Sequence, residues 1–555
     1  MSNRHLAFWP ESQPQHLTVP QTNLFYNVEV SAARFPDKPY ILFYDTPITF
    51  AEFKDEAERI AGYLEQVCGV RKGDRVLLYM QNSPQFVLAY YGILRANAVV
   101  VPVNPMNLTT ELRHYVKDTG ARVAIVAQDI FAQMAPLLSD DLEQILVAAY
   151  SDYLKRPTEF KMPEFVAAPR MALEGPGVTL WSDMLARQLR PGPLTVGPDD
   201  LCVMPYTSGT TGHPKGCMHT HRGAMASILA SMQWFNTTQD STTLSVLPFF
   251  HVTGMQGSMS GPLYYGSTMV VLPRWDRDVA AQCVQRYRIT TMQLISTMVV
   301  DLLANPKIAE YDLSSLRGLR GGGAAVPEAV AQKLRDLLGV PYVEGYGMSE
   351  TIAATHINPV QRPKKQCLGI PIYGVDARVV DPADFHELAA GEVGEIIVNA
   401  PNVMQGYWNN PAATAEVFVE IDGKRFLRTG DLAQVDQDGY FFMVDRLKRM
   451  INASGFKVWP AEVEALLYQH PAIQEACVIA ASDPKRGETV KAVVVLREAF
   501  RNQLRAQDII DWAHANMAVY KAPRIVELVD ALPKSATGKL QWRALQDQEK
   551  SRMAR

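Results

Sequence analysis

The segment from Tyr206 to Gly216 combines the residue types that hold a phosphate group, in the order Tyr-Thr-Ser-Gly-Thr-Thr-Gly-His-Pro-Lys-Gly. Glycines let backbone N–H groups approach an anion closely, and hydroxyl groups and a lysine complete such a cradle. Pro214 precedes Lys215 where a Walker loop requires glycine, and a flexible linker would not explain a lysine there. The segment therefore predicts a phosphate-binding loop of another kind, formed by Thr207, Ser208, Gly209, Thr210, Thr211, Gly212 and Lys215.

Further segments with chemically suited residues follow along the chain. They are Phe249-Phe-His-Val-Thr-Gly254, Gly321-Gly-Gly-Ala-Ala-Val326, Glu344-Gly-Tyr-Gly-Met-Ser-Glu-Thr351, Arg428-Thr-Gly-Asp431 and Pro533-Lys-Ser-Ala-Thr-Gly-Lys-Leu540. In this order, and together with the loop, they resemble the signature motifs of the adenylate-forming superfamily. This superfamily includes acyl-CoA synthetases, peptide-synthetase adenylation domains and beetle luciferases. The resemblance spans roughly Asn23 to Arg543.

The resemblance implies a site for ATP and for the AMP group formed from it. The bare turn at residues 323–325 would lie against the adenine, on which Tyr346 would stack. Either Ser349 or Thr351 would reach the α-phosphate. The other members of the implied nucleotide site are Gly323, Ala324, Ala325, Glu344, Gly345 and Gly347.

The resemblance also implies roles for charged side chains around the nucleotide. Glu350, with Thr207, would hold Mg²⁺, an ion that prefers hard oxygen ligands such as carboxylates and phosphates. Asp431 would accept hydrogen bonds from the ribose hydroxyls, and Arg446 would assist it.

His251 is the residue implied to lie beside the substrate carboxylate. Amino-acid-activating domains of peptide synthetases carry aspartate at this position, to pair with an α-ammonium group. Histidine therefore points away from an amino-acid substrate. The residues implied to line the acyl pocket are small or apolar and favour a hydrophobic acid: Val252, Thr253, Met255, Gly322 and Ile352.

The carboxyl-terminal segment would contribute a catalytic lysine and a hinge. By resemblance, Lys539 bridges the carboxylate and the α-phosphate, where a fixed cation stabilises the charge that develops in the transition state. Lys448 would be the hinge of a mobile domain, and Gly455 and Phe456 would line the path of CoA. Related ligases carry other residues where this chain has Asn452 and Lys457, so no role in thioester formation is assigned to these two.

The elements that must position these motifs alternate between strands and helices. Thr49-Phe-Ala-Glu52 is a capping box that predicts a helix start, Val99–Val103 reads as a strand, and Gly223–Trp234 reads as a helix. This alternation predicts an α/β fold with doubly wound subdomains and a small β subdomain in residues 1–446. A smaller, mobile α+β domain is predicted for residues 447–555, with a helix that begins at Pro460.

Composition excludes several other classes of protein. Of the 555 residues, 47% are hydrophobic and 20% are charged, and the formal net charge of −4 gives no reason to expect nucleic acid as a partner. The six cysteines include no Cys-x-x-Cys pair, which argues against a disulfide framework or a zinc site. The amino terminus lacks an apolar signal core, and charged or polar residues interrupt the longest apolar run. We therefore expect a cytoplasmic protein with no transmembrane segment.

These observations predict an ATP-dependent carboxylic acid–CoA ligase that forms acyl-AMP and then acyl-CoA. Its partners would be a small-molecule acid and CoA, and the sequence leaves a homodimer open. A medium- or long-chain fatty acid is the first choice of substrate, and an aryl or terpenoid acid is the second. The alternatives are an enzyme that loads a carrier protein, a luciferase-like oxygenase, and a degenerate nucleotide-binding regulator.

Overall fold

The chain folds into two compact units. The computed structural model describes residues 4–553 except 12, 139–140, 208–213, 323–325, 327, 454–455, 484–486, 502 and 535–539. The first unit comprises Met1–Ala377, Val398–Leu427 and Asp438–Tyr440, and the second comprises Arg378–Ile397, Arg428–Gln437 and Phe441–Arg555. The boundary between residues 446 and 447 remains a sequence-based prediction.

A largely parallel sheet of seven strands forms one half of the first unit. Successive side chains of a central strand point into two different hydrophobic cores. Val76 and Leu78 pack in one core, and Leu77 and Tyr79 pack in the other. A parallel sheet that is buried on both faces requires helices on each side. The strands, in spatial order, are His219–Thr220, Leu201–Val203, Val99–Val103, Arg75–Tyr79, Val123–Ala127, Gln144–Ala148 and Val178–Leu180.

A second sheet of nine strands forms the other half of the first unit. Its six central strands are parallel, whereas the strands at both edges are antiparallel to their neighbours. The strands, in spatial order, are Ile370–Pro371, Ala353–Ile357, Tyr342–Met348, Gly318–Gly322, Thr291–Gln293, Thr242–Ser245, Thr268–Val271, Pro39–Phe43 and Thr46–Thr49.

Smaller sheets complete the described structure. Tyr206–Thr207 and Lys215–Gly216 form a two-stranded ribbon. A five-stranded sheet contains Asp376–Val380, Val393–Asn399, Phe418–Ile421, Lys424–Val435 and Phe441–Arg446. A further five-stranded sheet, in the second unit, contains Ile451–Ala453, Phe456–Val458, Ile473–Asp483, Gly487–Leu496 and Ile525–Leu528.

Helices flank these sheets along the whole chain. The helix Phe50–Gln66 begins at the predicted capping box, where Thr49 and Glu52 exchange side-chain and backbone hydrogen bonds. The others are Tyr26–Arg34, Pro84–Arg95, Thr109–Thr119, Phe131–Met134, Glu164–Ala167, Trp181–Ala186, His221–Trp234, Gly261–Tyr265, Arg277–Tyr287, Ser296–Leu303, Glu328–Leu338, Pro411–Glu416, Pro460–Leu467, Ala506–Asn516 and Trp542–Met553.

Short helical turns of other types also occur. The segment Gly254–Ser260 is a π-helix, a form that often marks functional sites. The 3₁₀ turns are Arg4–Phe8, Gln128–Ile130, Ala135–Leu137, Tyr150–Tyr153, Ile308–Glu310, Ser349–Thr351, Leu447–Arg449 and Glu498–Phe500. No helix among the described residues has the length and apolar character needed to cross a bilayer.

Candidate active site

The motifs of the first unit lie where parallel strands end. His251 follows the strand Thr242–Ser245, Gly322 ends the strand Gly318–Gly322, and Glu350 follows the strand Tyr342–Met348. These strands belong to one sheet and run parallel, so their carboxyl ends share one edge. Open α/β sheets bind ligands at this edge.

The segment predicted to be a phosphate loop is flanked by the two strands of a short ribbon, which follows the strand Leu201–Val203. Thr207 and Lys215 are directly opposite each other in this ribbon, on the two sides of the loop. The Tyr206 hydroxyl donates to Asp118 at 2.5 Å, and a ring nitrogen of His114 lies 2.8 Å from the carbonyl oxygen of Pro214. Both ends of the loop are therefore anchored to the helix Thr109–Thr119.

The second nucleotide motif lies on the strand Tyr342–Met348 and in the turn after it. Tyr346 is half-buried, with its ring centre 5.6 Å from that of His356 on the neighbouring strand. The Glu344 carboxylate accepts from the Val326 backbone N–H at 2.8 Å, and burial raises the pKa of this carboxyl group. At Gly347 a Cβ atom would lie only 1.8 Å from the carbonyl oxygen of Ala353, so only glycine fits.

The two hydroxyl residues of this motif have different surroundings. Thr351 is 1% exposed, and its hydroxyl donates to the Ala353 carbonyl oxygen at 2.7 Å. Ser349 is only half-buried. The chain then turns through Ile352 with φ of 40°, a left-handed conformation that strains a β-branched residue.

Glu350 and Lys215, which come from different predicted motifs, both contact one tyrosine, Tyr407. The carboxylate is 7% exposed, and its Oε1 accepts from the Tyr407 hydroxyl at 2.8 Å. The ammonium nitrogen of Lys215 lies 5.0 Å from the centre of the Tyr407 ring, within the range of a cation–π interaction. The structure thus brings together two of the predicted nucleotide residues.

The segment Asn402–Trp408 ties the ribbon to the 348–354 turn. The Asn402 side-chain amide donates to the carbonyl oxygens of Thr351 and Ala354, at 2.7 and 3.2 Å. The Met404 backbone N–H donates to the Glu350 carbonyl oxygen at 2.8 Å. On the other side, Trp408 donates from its backbone N–H to the Gly216 carbonyl oxygen, also at 2.8 Å.

A buried histidine makes a second link between the two motifs. His219 Nε2 donates to the Ser349 carbonyl oxygen at 2.7 Å, because a carbonyl oxygen can only accept. Burial lowers the pKa of His219 to about 4, so the ring is neutral at physiological pH. It therefore fixes the turn through a hydrogen bond without adding positive charge.

Three of the residues predicted to line the acyl pocket, Val252, Thr253 and Met255, lie at the start of the π-helix. The Thr253 backbone N–H donates to Nδ1 of His251 at 3.3 Å, so in a neutral ring Nε2 carries the proton. Val252, Met255 and Ile352 are almost fully buried, whereas Thr253 and Gly322 are half-buried. Packing alone would account for the three buried residues, so the pocket remains a prediction.

The two predicted ribose residues are paired in the second unit. Asp431 and Arg446 are opposite each other on antiparallel strands, and their side chains form a 3.0 Å salt bridge. Asp431 is 3% exposed, and its backbone N–H donates to the Thr429 hydroxyl at 3.1 Å. This turn is supported by the buried Glu395, which accepts from the Gly430 backbone N–H at 3.0 Å.

Several predicted residues fall outside the described part of the chain. These are Ser208, Gly209, Thr210, Thr211, Gly212, Gly323, Ala324, Ala325, Gly455 and Lys539. The predicted hinge residue Lys448 lies in the turn Leu447–Arg449, and Phe456 begins a strand.

The fold and the order of these motifs are those of an adenylate-forming enzyme, and comparisons with known proteins agree. A family model described as "AMP-binding enzyme" matches residues 28–408, and one described as "AMP-binding enzyme C-terminal domain" matches residues 462–539. The chain is 35% identical over 555 residues to the long-chain-fatty-acid–CoA ligase of Bacillus subtilis (strain 168), with 98% of each chain covered. It is 34% identical over 499 residues to a feruloyl-CoA synthase of an Amycolatopsis species, with 89% of this chain and 92% of the synthase covered.

A solved structure shows the same architecture. The crystal structure of ATP-bound MatB from Rhodopseudomonas palustris aligns with a TM-score of 0.82 and 26% identity, and covers 96% of this chain and 99% of that one. The chain therefore belongs to the family of AMP-binding enzymes, which confirms the predicted superfamily and the predicted fold class.

Three residues of this site were not predicted from the sequence: His219, Asn402 and Tyr407. Each acts through a hydrogen bond to a motif far away in the chain, to Ser349, Thr351 and Glu350 respectively. A single sequence carries no signal for such pairs, because neither spacing nor periodicity links them.

Proposed function

We propose that the protein is an ATP-dependent carboxylic acid–CoA ligase whose substrate is a medium- or long-chain fatty acid. The observation that carries this proposal is the arrangement of Lys215, Tyr407 and Glu350. It offers a cation for phosphate and a buried carboxylate for a metal ion at one edge of the sheet. Full-length similarity to a ligase for long-chain fatty acids supports the choice of substrate.

In the first half-reaction, an oxygen of the acid attacks the α-phosphorus of ATP, and the bond to pyrophosphate breaks. The products are acyl-AMP and pyrophosphate. The protein needs no nucleophile of its own, because positioning and fixed charges suffice for such a displacement. Lys539 is proposed to stabilise the developing charge, and Lys215 is proposed to hold the departing phosphates.

Of the two candidate hydroxyls for the α-phosphate, we favour Ser349. The Thr351 hydroxyl already donates to the Ala353 carbonyl oxygen, and its side chain is buried. Ser349 is more accessible and lies in a turn fixed by His219. Thr351 is then a residue that shapes this turn.

The residues present fit a magnesium ion that arrives with ATP. Mg²⁺ is usually held by one or two carboxylates, substrate phosphates and water, so it does not require a cluster of protein ligands. The described residues contain no group of three or more His, Cys, Asp or Glu side chains that could hold a metal. Glu350 would supply the carboxylate and Thr207 a hydroxyl, and the bound ion would neutralise phosphate charge.

The remaining groups would bind the acid, the ribose and CoA. The His251 imidazole, with its proton on Nε2, could donate to the substrate carboxylate. Asp431 and Arg446 would bind the ribose hydroxyls. In the second half-reaction the CoA thiol attacks the acyl carbon and AMP leaves, after a domain rotation about Lys448 that opens a path along Gly455 and Phe456.

An aryl acid is the second candidate for the substrate, and one observation favours it. Similarity to a feruloyl-CoA synthase is almost as high as similarity to the fatty-acid ligase, at 34% against 35% identity. A hydrophobic pocket binds either class, so the class must be decided by assay.

A panel of free acids tests the proposal and its alternatives. Octanoate, palmitate and ferulate are assayed for ATP–pyrophosphate exchange without CoA, and for AMP release with CoA. We expect exchange with one class of acid, and AMP release that depends on both that acid and CoA. Exchange without CoA-dependent turnover would indicate a carrier protein as acceptor. The absence of exchange with these acids and with a terpenoid acid would favour a regulator.

A further inference from the structure

Tyr407 contacts two charged side chains of the candidate nucleotide site, Glu350 and Lys215. Its hydroxyl is 2.8 Å from Glu350 Oε1, and its ring centre is 5.0 Å from Lys215 Nζ. These two residues belong to different motifs, the phosphate-loop ribbon and the 349–351 turn. One side chain therefore contacts both.

The backbone around Tyr407 is firmly held. Its N–H donates to the Thr414 hydroxyl at 2.9 Å, and it forms a β-bridge with Cys217. The side chain is 8% exposed and packs in a small core with Cys217, Met404 and Leu427. A residue with such support has a fixed ring orientation.

Both contacts match the chemistry of their partners. A hydrogen bond from a neutral hydroxyl to a carboxylate fixes the carboxylate plane without neutralising its charge. The face of a phenol ring carries partial negative charge and attracts an ammonium group. A tyrosine hydroxyl is neutral at physiological pH and a carboxylate can only accept, so Tyr407 is the donor in this hydrogen bond.

We propose that Tyr407 is a positioning residue for ATP: its hydroxyl orients Glu350 toward the divalent cation, and its ring supports Lys215 against the phosphates. This inference rests on the proposed function of the site. The alternative is that Tyr407 only fills the core around Met404. The two contacts can be removed separately, which distinguishes these roles.

Tyr407→Phe removes the hydroxyl and keeps the ring. The readout is binding of α,β-methylene-ATP by calorimetry over a range of Mg²⁺ concentrations, which does not depend on turnover. Residues that orient a metal ligand commonly contribute 10- to 100-fold to metal affinity. We expect the half-saturating Mg²⁺ concentration to rise about tenfold, with nearly wild-type affinity for the analogue at saturating Mg²⁺.

Tyr407→Leu removes the ring as well, so the affinity for the analogue should fall at every Mg²⁺ concentration. In the Lys215→Met background, the step from Phe to Leu at position 407 should have little further effect, because the ring then has no cation to support. Such non-additivity is expected of residues in contact. Equal effects in both backgrounds would overturn the role assigned to the ring.

Tyr440→Phe is the matched control. Tyr440 is also fully buried, and its hydroxyl donates to the Arg362 carbonyl oxygen at 2.7 Å. This variant should show the wild-type Mg²⁺ response, and an equal shift in the control would overturn the assignment.

A rescue variant covers the case in which Tyr407→Phe is unstable. Tyr407→p-aminophenylalanine restores a donor at the same ring position and should restore the wild-type Mg²⁺ response. Failure of this rescue, or an unshifted Mg²⁺ response in a folded Tyr407→Phe protein, would overturn the role of the hydroxyl. If the wild-type protein does not bind the analogue at all, the proposed function fails, and the role inferred for Tyr407 fails with it.

Discussion

His251 is the residue whose substitution best reports on the acid substrate. His251→Asp would put a negative charge beside the substrate carboxylate, and like charges a few ångströms apart in a half-buried site repel by roughly several kcal/mol. We expect a large rise in the KM of the acid and little change in the KM of ATP. His251→Asn, which lacks the charge, should raise the KM of the acid much less. An unchanged KM of the acid in a stably folded aspartate variant would remove His251 from the site.

Lys539 can be tested by separating the two half-reactions. Lys539→Ala should slow adenylate formation on the order of 10²- to 10³-fold, because one fixed charge contact with the transition state is lost. Thioester formation from pre-made acyl-AMP should be spared. Lys534→Ala is the control, because Lys534 lies in the same segment and pairs with Glu475 at 2.6 Å. Equal losses in both half-reactions would refute the role of Lys539.

At the scale of single residues, the sequence predicts which residues belong to each motif but not which contacts join the motifs. Lys215 is predicted from the residue types of its own loop, and Glu350 from the resemblance of its motif to the adenylate-forming superfamily. Their link through Tyr407 depends on the fold, because the hydroxyl and the carboxylate meet only after the segment Asn402–Trp408 has packed. The turn at Ile352, with φ of 40°, could not be predicted either, since a β-branched residue seldom adopts a left-handed conformation.

The turn Leu447–Arg449 contains Lys448, the predicted hinge between the two domains. Lys448→Pro would fix φ near roughly −65° and restrict the residue before it. We expect pyrophosphate exchange to survive while production of acyl-CoA collapses, because only the second half-reaction requires the other orientation. Lys448→Ala keeps the backbone free and should retain ligase activity. Full ligase turnover in the proline variant would place the hinge elsewhere.

Elements with a strong local signal were predicted well. The strand Val99–Val103 has the predicted bounds, and the helix after Thr49 begins at its capping box. The helix Trp542–Met553 was not predicted, because it is mostly polar and only a few residues such as Trp542 and Leu545 pack on the sheet. Its stability comes from tertiary contacts, which no local pattern encodes.

For the molecule as a whole, we expect the free energy of unfolding to depend on pH because several histidines are buried. Burial lowers the pKa of His219 and His221 to about 4 and that of His356 to about 3. The unfolded chain, with a histidine pKa near ~6.5, therefore binds more protons than the folded chain as the pH falls below that value. Stability should decrease as the pH is lowered from about 6.5 to 5, by up to about 1.4 kcal/mol per pH unit for each histidine.

Calorimetric unfolding at pH 7, 6 and 5 would measure this dependence for the first unit, which contains all three histidines. His221→Asn removes one titrating group and should reduce the slope, by the same linkage. A stability that stays constant over this range would contradict the prediction.

The six thiols of the chain are all buried. Thiol-reactive fluorescent dyes can therefore be directed to cysteines introduced at exposed positions. Burial raises the pKa of Cys68 and of Cys477 to about 12, so neither offers an appreciable amount of thiolate to a maleimide dye at neutral pH. A cysteine introduced at the exposed Glu174 and another at the exposed Gln503 would therefore take the dyes, with the native cysteines left in place. Energy transfer between these two dyes, one on each compact unit, would record any rearrangement of the units during single turnovers.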